Sequence, residues 1–349
     1  MTFEEFIMQA REMNASDIHL TVGAPTVVRV NGELRKYTEL SDQVVNRTIL
    51  SILSADQEKL LTEGHDIDFS FELKNGARQR VNVFRQSGKL AACIRLLNAE
   101  IPTLEQLKMP PILLEFAKKR RGLVLVTGPT GAGKSTTLAA MVEYINRNRA
   151  CHIITIEDPI EYRYTQQKAT IHQRELGRDV PSFAGALRSA LREDPDVILI
   201  GEMRDYETIS LAMTAAETGH LVFGTLHTKG AANTIDRIID VFPPEQQEQI
   251  RIQLADVLEA AIAKALLPKI GGGRVPVYEI LVATPAVRSL IRQNKSFQIP
   301  SVMQTSKRQG MQMLDEALTE LVRKGQVRPD DAMAVANDPA ALRTTLGRY

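Results

Sequence analysis

The chain has 349 residues, more than one core comfortably holds at roughly 100 to 200 residues per domain, so at least two units are expected. Forty-three Lys and Arg against 42 Asp and Glu leave a formal charge of +1, which removes the electrostatic case for nucleic acid as a default partner. No apolar run approaches the ~18 to 20 residues that span a bilayer, and two cysteines exclude a disulfide framework or a CxxC zinc pair.

Residues 1–98 predict a small α+β domain. Thr2 and Glu5 have the spacing of a capping box, and Phe3, Phe6, Ile7 and Ala10 share one face of the helix that follows. A second helix is expected from about Ser41. Ile18, Leu20 and Val22 alternate, Val28 and Val30 precede the turn pair Asn31-Gly32, and Ile67, Phe69, Phe71 and Leu73 alternate before Asn75-Gly76. With Val81 and Val83 they predict a half-buried antiparallel meander whose polar face carries Arg80 and Asn82, with Arg95 on the next strand. The start MTFEEFIMQA is acidic and amphipathic, unlike an export signal, so a cytoplasmic protein without direct membrane insertion is expected.

Residues 99–111 hold three prolines and predict a linker. Residues 112–270 alternate apolar strands with helices: LVLV at 123–126, IITI at 153–156, VILI at 197–200 and LVFGTL at 221–226. That rhythm implies an α/β parallel sheet. From Pro243 a helical pattern keeps Ile250, Leu254, Val257, Leu258, Ala261 and Ile262 on one face until Gly271-Gly272-Gly273 breaks it. Residues 271–349 are expected to be mostly helical after a short VYEIL strand.

Gly128, Pro129, Thr130, Gly131, Ala132, Gly133, Lys134 and Ser135 match the phosphate-binding P-loop, directly after a strand and before a helix. The bare pattern arises by chance in on the order of one chain in a hundred of this length, before its flanks are required. Glycines let backbone N–H groups approach phosphate oxygens, and the helix N-terminus adds partial positive charge. Lys134 is expected to reach the β and γ phosphates of ATP, and Ser135, or else Thr136, to bind Mg2+.

In an open α/β sheet the ligand lies beyond the carboxyl ends of the strands. Those ends carry Glu157-Asp158-Pro-Ile-Glu161, Gly201-Glu202 and His227, while Asp194 and Asp196 sit at the other end of their strand. Glu202 is therefore expected to hold Mg2+ or its water, and Glu161 or Glu157 to polarise the attacking water. His227 is placed to sense the γ-phosphate. His220 lies seven residues earlier, about 23 Å away if extended, and is expected at a helix-to-strand junction or a subunit boundary. Among Arg78, Arg80, Arg85 and Arg95, we expect Arg80 and Arg95 to stabilise the departing phosphate of a neighbouring subunit; a solvated sheet face is the competing account.

In this order, GPTGAGKST, ITIEDPIE, REDPDVILIGEMRD and TGHLVFGTLHT resemble the Walker A, Asp box, atypical Walker B and His box of the type II/IV secretion ATPase superfamily. RQRVNVFRQSG followed by CIRLL is similar to the family's N-terminal strands, whose arginines act across subunits. The compact N-terminal domain and the lack of a tetracysteine module resemble the pilus-retraction branch, as does PAVRSLIRQ at 285–293, with Val287 and Ser289 as departures. The resemblance implies a RecA-like P-loop ATPase core, a smaller PAS-like N-terminal domain and a helical C-terminal region. It further implies a homohexamer acting on an inner-membrane pilus platform protein, peripheral at that membrane through partners, and driving pilus retraction. Rival readings are an assembly or secretion ATPase of the same superfamily, a RecA-like nucleic-acid translocase and a P-loop kinase.

Overall fold

The computed structural model describes residues 3–30, 32–97 and 100–347. Thr2 of the capping pattern, Asn31 of the first turn pair and Asn98, before the expected linker, lie outside the described residues. The chain forms two compact units, Met1–Glu100 with Pro159–Arg163, and Ile101–Asp158 with Tyr164–Tyr349.

In the first unit α1 (Phe3–Glu12) buries Phe6, Ile7 and Ala10, as its spacing requires. The helix α2 (Asp42–Ser51) opens on Ser41, whose hydroxyl accepts from the Val44 N–H, and α3 (Ala55–Thr62) opens on a reciprocal Ser54–Gln57 capping box. Strands β1 (Ala15–Thr21), β2 (Thr26–Val30), β3 (Glu33–Thr38), β4 (Ile67–Glu72), β5 (Arg78–Gln86) and β6 (Lys89–Leu96) pair in the order β3-β2-β1-β6-β5-β4. All these pairings are antiparallel. Ile18, Leu20, Val28, Val81, Val83 and Ile94 pack with the helices, and period-two alternation leaves Asp17, Arg95 and Arg80 in one transverse row on the opposite face.

In the second unit β7 (Gly122–Thr127), β8 (His152–Glu157), β9 (Thr170–Glu175), β10 (Val197–Ile200), β11 (Leu221–Leu226), β12 (Leu258–Pro268) and β13 (Arg274–Val282) form one sheet. Their order is β13-β12-β7-β11-β10-β8-β9, parallel throughout except β13. Helices cover both faces, which is why the strands read as unbroken apolar runs. Val124, Val126 and Phe223 pack under α4 (Ile112–Ala117) and α5 (Lys134–Asn148). Leu123, Leu125, Ile198, Ile200 and Val222 pack under α6 (Phe183–Ala190), α7 (Tyr206–Glu217), α8 (Ala231–Asp240), α9 (Pro244–Val257) and α10 (Pro285–Arg292). Among the described residues no helix is long and apolar enough to cross a membrane.

Three features differ from the sequence reading. The helical stripe from Pro243 stops at Val257, and Leu258, Ala261 and Ile262 lie in β12, buried between β7 and β13. A continuous Ala-rich apolar run has no periodicity that separates a buried strand from a buried helix. The position 270/271 consequently falls in the turn of the β12–β13 hairpin, where Lys269 N–H donates to Gly273 O. Strand β9, TIHQRE, carried no recognised signal because only Ile171 and Glu175 are buried in it. In the stretch read as a linker, Leu104 and Met109 are buried with Leu113 and Phe116 in the second unit's core.

Candidate active site

β7 is buried along its whole length, and α5 begins seven residues after its end, at Lys134. The turn between them tolerates little but glycine at its first position. Gly128 has φ +137°, and a Cβ there would lie 2.2 Å from the Lys264 carbonyl oxygen of the neighbouring strand. Gly128→Ala should therefore distort the loop and abolish nucleotide binding measured by calorimetry; unchanged affinity would show the loop absorbs the clash. Gly133, at φ +81°, opens α5. Pro129, Thr130, Gly131 and Ser135 are exposed around the loop, Thr136 is half-buried and Ala132 is buried. The loop thus leads into the N-terminus of α5, the end of a helix whose partial positive charge favours anions.

Lys134 Nζ donates to Gly128 O at 2.7 Å and to Pro129 O at 3.3 Å, and lies 3.5 Å from His227 Nδ1. The other face of that imidazole meets Glu202, with Nε2 3.0 Å from Oε1. Arg204 holds the second carboxylate oxygen at 2.6 Å. Burial opposes ionisation of Glu202, but the hydrogen bond and charge of Arg204, with His227 and Lys134, outweigh it and hold the carboxyl below the usual range. An ionised carboxylate only accepts, so His227 donates from Nε2, and its Nδ1 is the ring nitrogen that faces the Lys134 ammonium.

Sheet order decides which strand ends share this place. At about 4.8 Å per strand, the ends of β11, β10 and β8 lie roughly 5, 10 and 14 Å from that of β7. His227 and Glu202 follow the two nearer strands. Glu157 ends the third, and its Oε1 accepts from Thr155 Oγ1 at 2.7 Å and Gln173 Nε2 at 3.2 Å. Glu161 belongs to Pro159–Arg163, which groups with the first unit, as do Arg80 and Arg95.

Arg80 and Arg95 are directly paired across β5 and β6. Arg95 Nε donates to Asp17 Oδ1 at 3.0 Å, and Arg80 grips Asp68 with Nε at 3.1 Å and Nη2 at 2.6 Å. Arg78, by contrast, is buried and donates to Ser70 Oγ at 2.7 Å. His220 stands at the start of β11, at the far end of the sheet from His227. Its Nδ1 lies 2.8 Å from Ala215 O, tying the end of α7 to the strand. Asp196 accepts from the His152 N–H at 2.9 Å at that same far end.

Two residues that sequence reasoning passed over touch this site. Arg204 was hidden in a loop of charges, and Lys264 lay in the stretch read as helix, where a lone lysine within LEAAIAKALLP was the available signal.

The match of residues 1–271 to the family described as Type II/IV secretion system protein accords with this geometry. The chain belongs to that family. It is 48% identical to the type IV pilus retraction ATPase PilT of Pseudomonas aeruginosa PAO1, over 97% of this chain and 99% of that one. It is 52% identical to a twitching motility protein of Neisseria gonorrhoeae, covering 90% of this chain and 85% of that protein. Among solved structures it is similar to the pilus retraction motor PilT with bound ADP, with TM-score 0.91, 49% identity and 99% of each chain covered. The protein is an ATPase with a RecA-like core, a smaller N-terminal α+β domain and a C-terminal helical region.

Proposed function

We propose that the protein is the motor that retracts a type IV pilus, hydrolysing ATP as a cytoplasmic homohexamer at the inner membrane and working on a platform protein there. The observation that carries this reading is similarity along the whole chain, covering both units, to a relative named as a retraction ATPase. An assembly or secretion ATPase would share the chemistry and reverse the work. Deleting the gene separates them: the deletion strain should carry excess surface pilin and fail to twitch, and bald cells would refute retraction.

In this reading residues Gly128 to Thr136 bind the phosphates and Lys134 draws the β and γ groups. Mg2+ is a hard cation that takes oxygen donors, and the exposed Ser135 hydroxyl and the ionised Glu202 carboxylate suit it. When bound, the ion neutralises charge on the phosphates. The Lys134–His227–Glu202 chain makes His227 a reporter, since any anion that draws Lys134 away removes the partner of Nδ1. Glu157 or Glu161 polarises the attacking water. Arg80 and Arg95 reach the nucleotide of a neighbouring subunit, and the chain between the two units absorbs the rotation that hydrolysis drives.

A further inference from the structure

β12 pairs with β7 as far as Ala263 opposite Thr127, so Lys264 is the first β12 residue alongside the phosphate loop. Gly128 packs on its carbonyl, and its side chain runs beneath the loop with only 6% of its surface exposed. Nζ donates to Gly133 O at 3.1 Å and to Thr137 Oγ1 at 2.9 Å, and the Tyr278 ring centroid lies 5.4 Å away. Among the described residues no carboxylate forms an ion pair with it. A buried ammonium without a counter-charge is costly, and this one also stands at the positive end of α5.

Hydrogen bonding alone does not require a cation here. Gly133 O already accepts from Thr137 N–H at 3.1 Å and Thr137 Oγ1 at 3.1 Å. What changes the balance is a polyphosphate on the other side of the loop, which turns an unfavourable charge into an attractive one. We propose that Lys264 is a positioning residue for the nucleotide: its ammonium fixes the Gly133 peptide that carries Lys134 and adds a second positive charge to the site that accepts the phosphates. This rests on the reading that residues Gly128 to Thr136 bind phosphate.

Burial, with the charge of Arg274, brings the Lys264 pKa down to about 8. Facing it are Arg274 and Tyr278 from β13 and, across the loop, Lys134 with His227 and Glu202. An anion favours the charged ammonium and raises its pKa, so the protein takes up a proton with the nucleotide wherever free Lys264 is partly neutral. Affinity then falls as pH rises through that range.

The test measures ADP binding by calorimetry on the full chain, from about pH 6.5 to 9.5, for wild type, Lys264→Met, Lys264→Gln and Lys134→Ala. Both Lys264 variants should bind about tenfold more weakly near neutral pH and lose the part of the wild-type pH dependence that the charge supplies. Affinity within twofold of wild type, with parallel pH curves, would overturn the proposal. Lys264→Gln keeps a hydrogen-bond donor without charge and carries the comparison alone if Lys264→Met does not fold. Lys134→Ala separates the two failures. If it binds ADP as wild type does, the phosphate-loop reading itself fails; if it alone loses binding, only the role of Lys264 does.

Discussion

Glu202→Gln should lower ATP turnover about 10² to 10³-fold while nucleotide affinity stays within about threefold of wild type. The substitution keeps the shape and one oxygen of the side chain but removes the charge that Arg204, His227 and Lys134 stabilise. It also sets an amide donor against either Arg204 or His227, both of which donate to Glu202. Ground-state binding depends chiefly on the loop backbone and Lys134, which the change leaves in place. Phosphate release measured alongside binding of a fluorescent nucleotide separates the two quantities. Near-normal turnover would refute a metal-side role for Glu202, and parallel loss of binding would show that it acts in the ground state.

Arg80→Ala should reduce turnover about 10³-fold or more, the scale of an arginine supplied to a departing phosphate. Stability should hardly move. The Arg80–Asp68 pair is exposed on both sides, at 38% and 44%, and such pairs contribute about 0 to 1 kcal/mol. Thermal unfolding therefore distinguishes lost catalysis from lost folding. If the arginine acts in trans, mixing Arg80→Ala subunits with Lys134→Ala subunits restores activity, because some sites then combine an intact loop with an intact arginine. No recovery at any mixing ratio would contradict action across a subunit boundary and favour the solvated-face account of Arg80 and Arg95.

The sequence made the chemical end of the second unit legible because its signals are local. A fully buried strand, a loop whose three glycines all take positive φ and a helix start are encoded within the segment from Gly122 to Asn148. Glu202 and His227 were legible because strands end where apolar runs end, and parallel order puts those ends on one side. What was not legible depended on packing. β12 reads like helix because burial on both faces erases alternation, and with it went Lys264. The distance ranking of Glu157 behind Glu202 came from strand order, which skips from β7 to β11 to β10 before reaching β8. Leu104 and Met109 sit among prolines in the sequence, yet their side chains belong to the core.

In the first unit the alternation of Val81 and Val83 correctly placed Arg80 on the polar face, but nothing local announced Asp17 and Asp68 as the carboxylates that hold the two arginines. Both contacts arise from strand register: Asp68 and Arg80 are 12 residues apart in the β4–β5 pair, whereas Asp17 lies 78 residues before Arg95. Hairpin turns fix such register within a pair, whereas the β1–β6 pairing is set by the shared apolar face.

Retraction is tested most directly by watching it. In cells carrying fluorescently labelled pili, the wild-type protein should shorten extended pili, and a strain whose only copy carries Glu202→Gln should extend pili that stay out. Pili that retract normally in the variant strain, or that never form in it, would contradict the account.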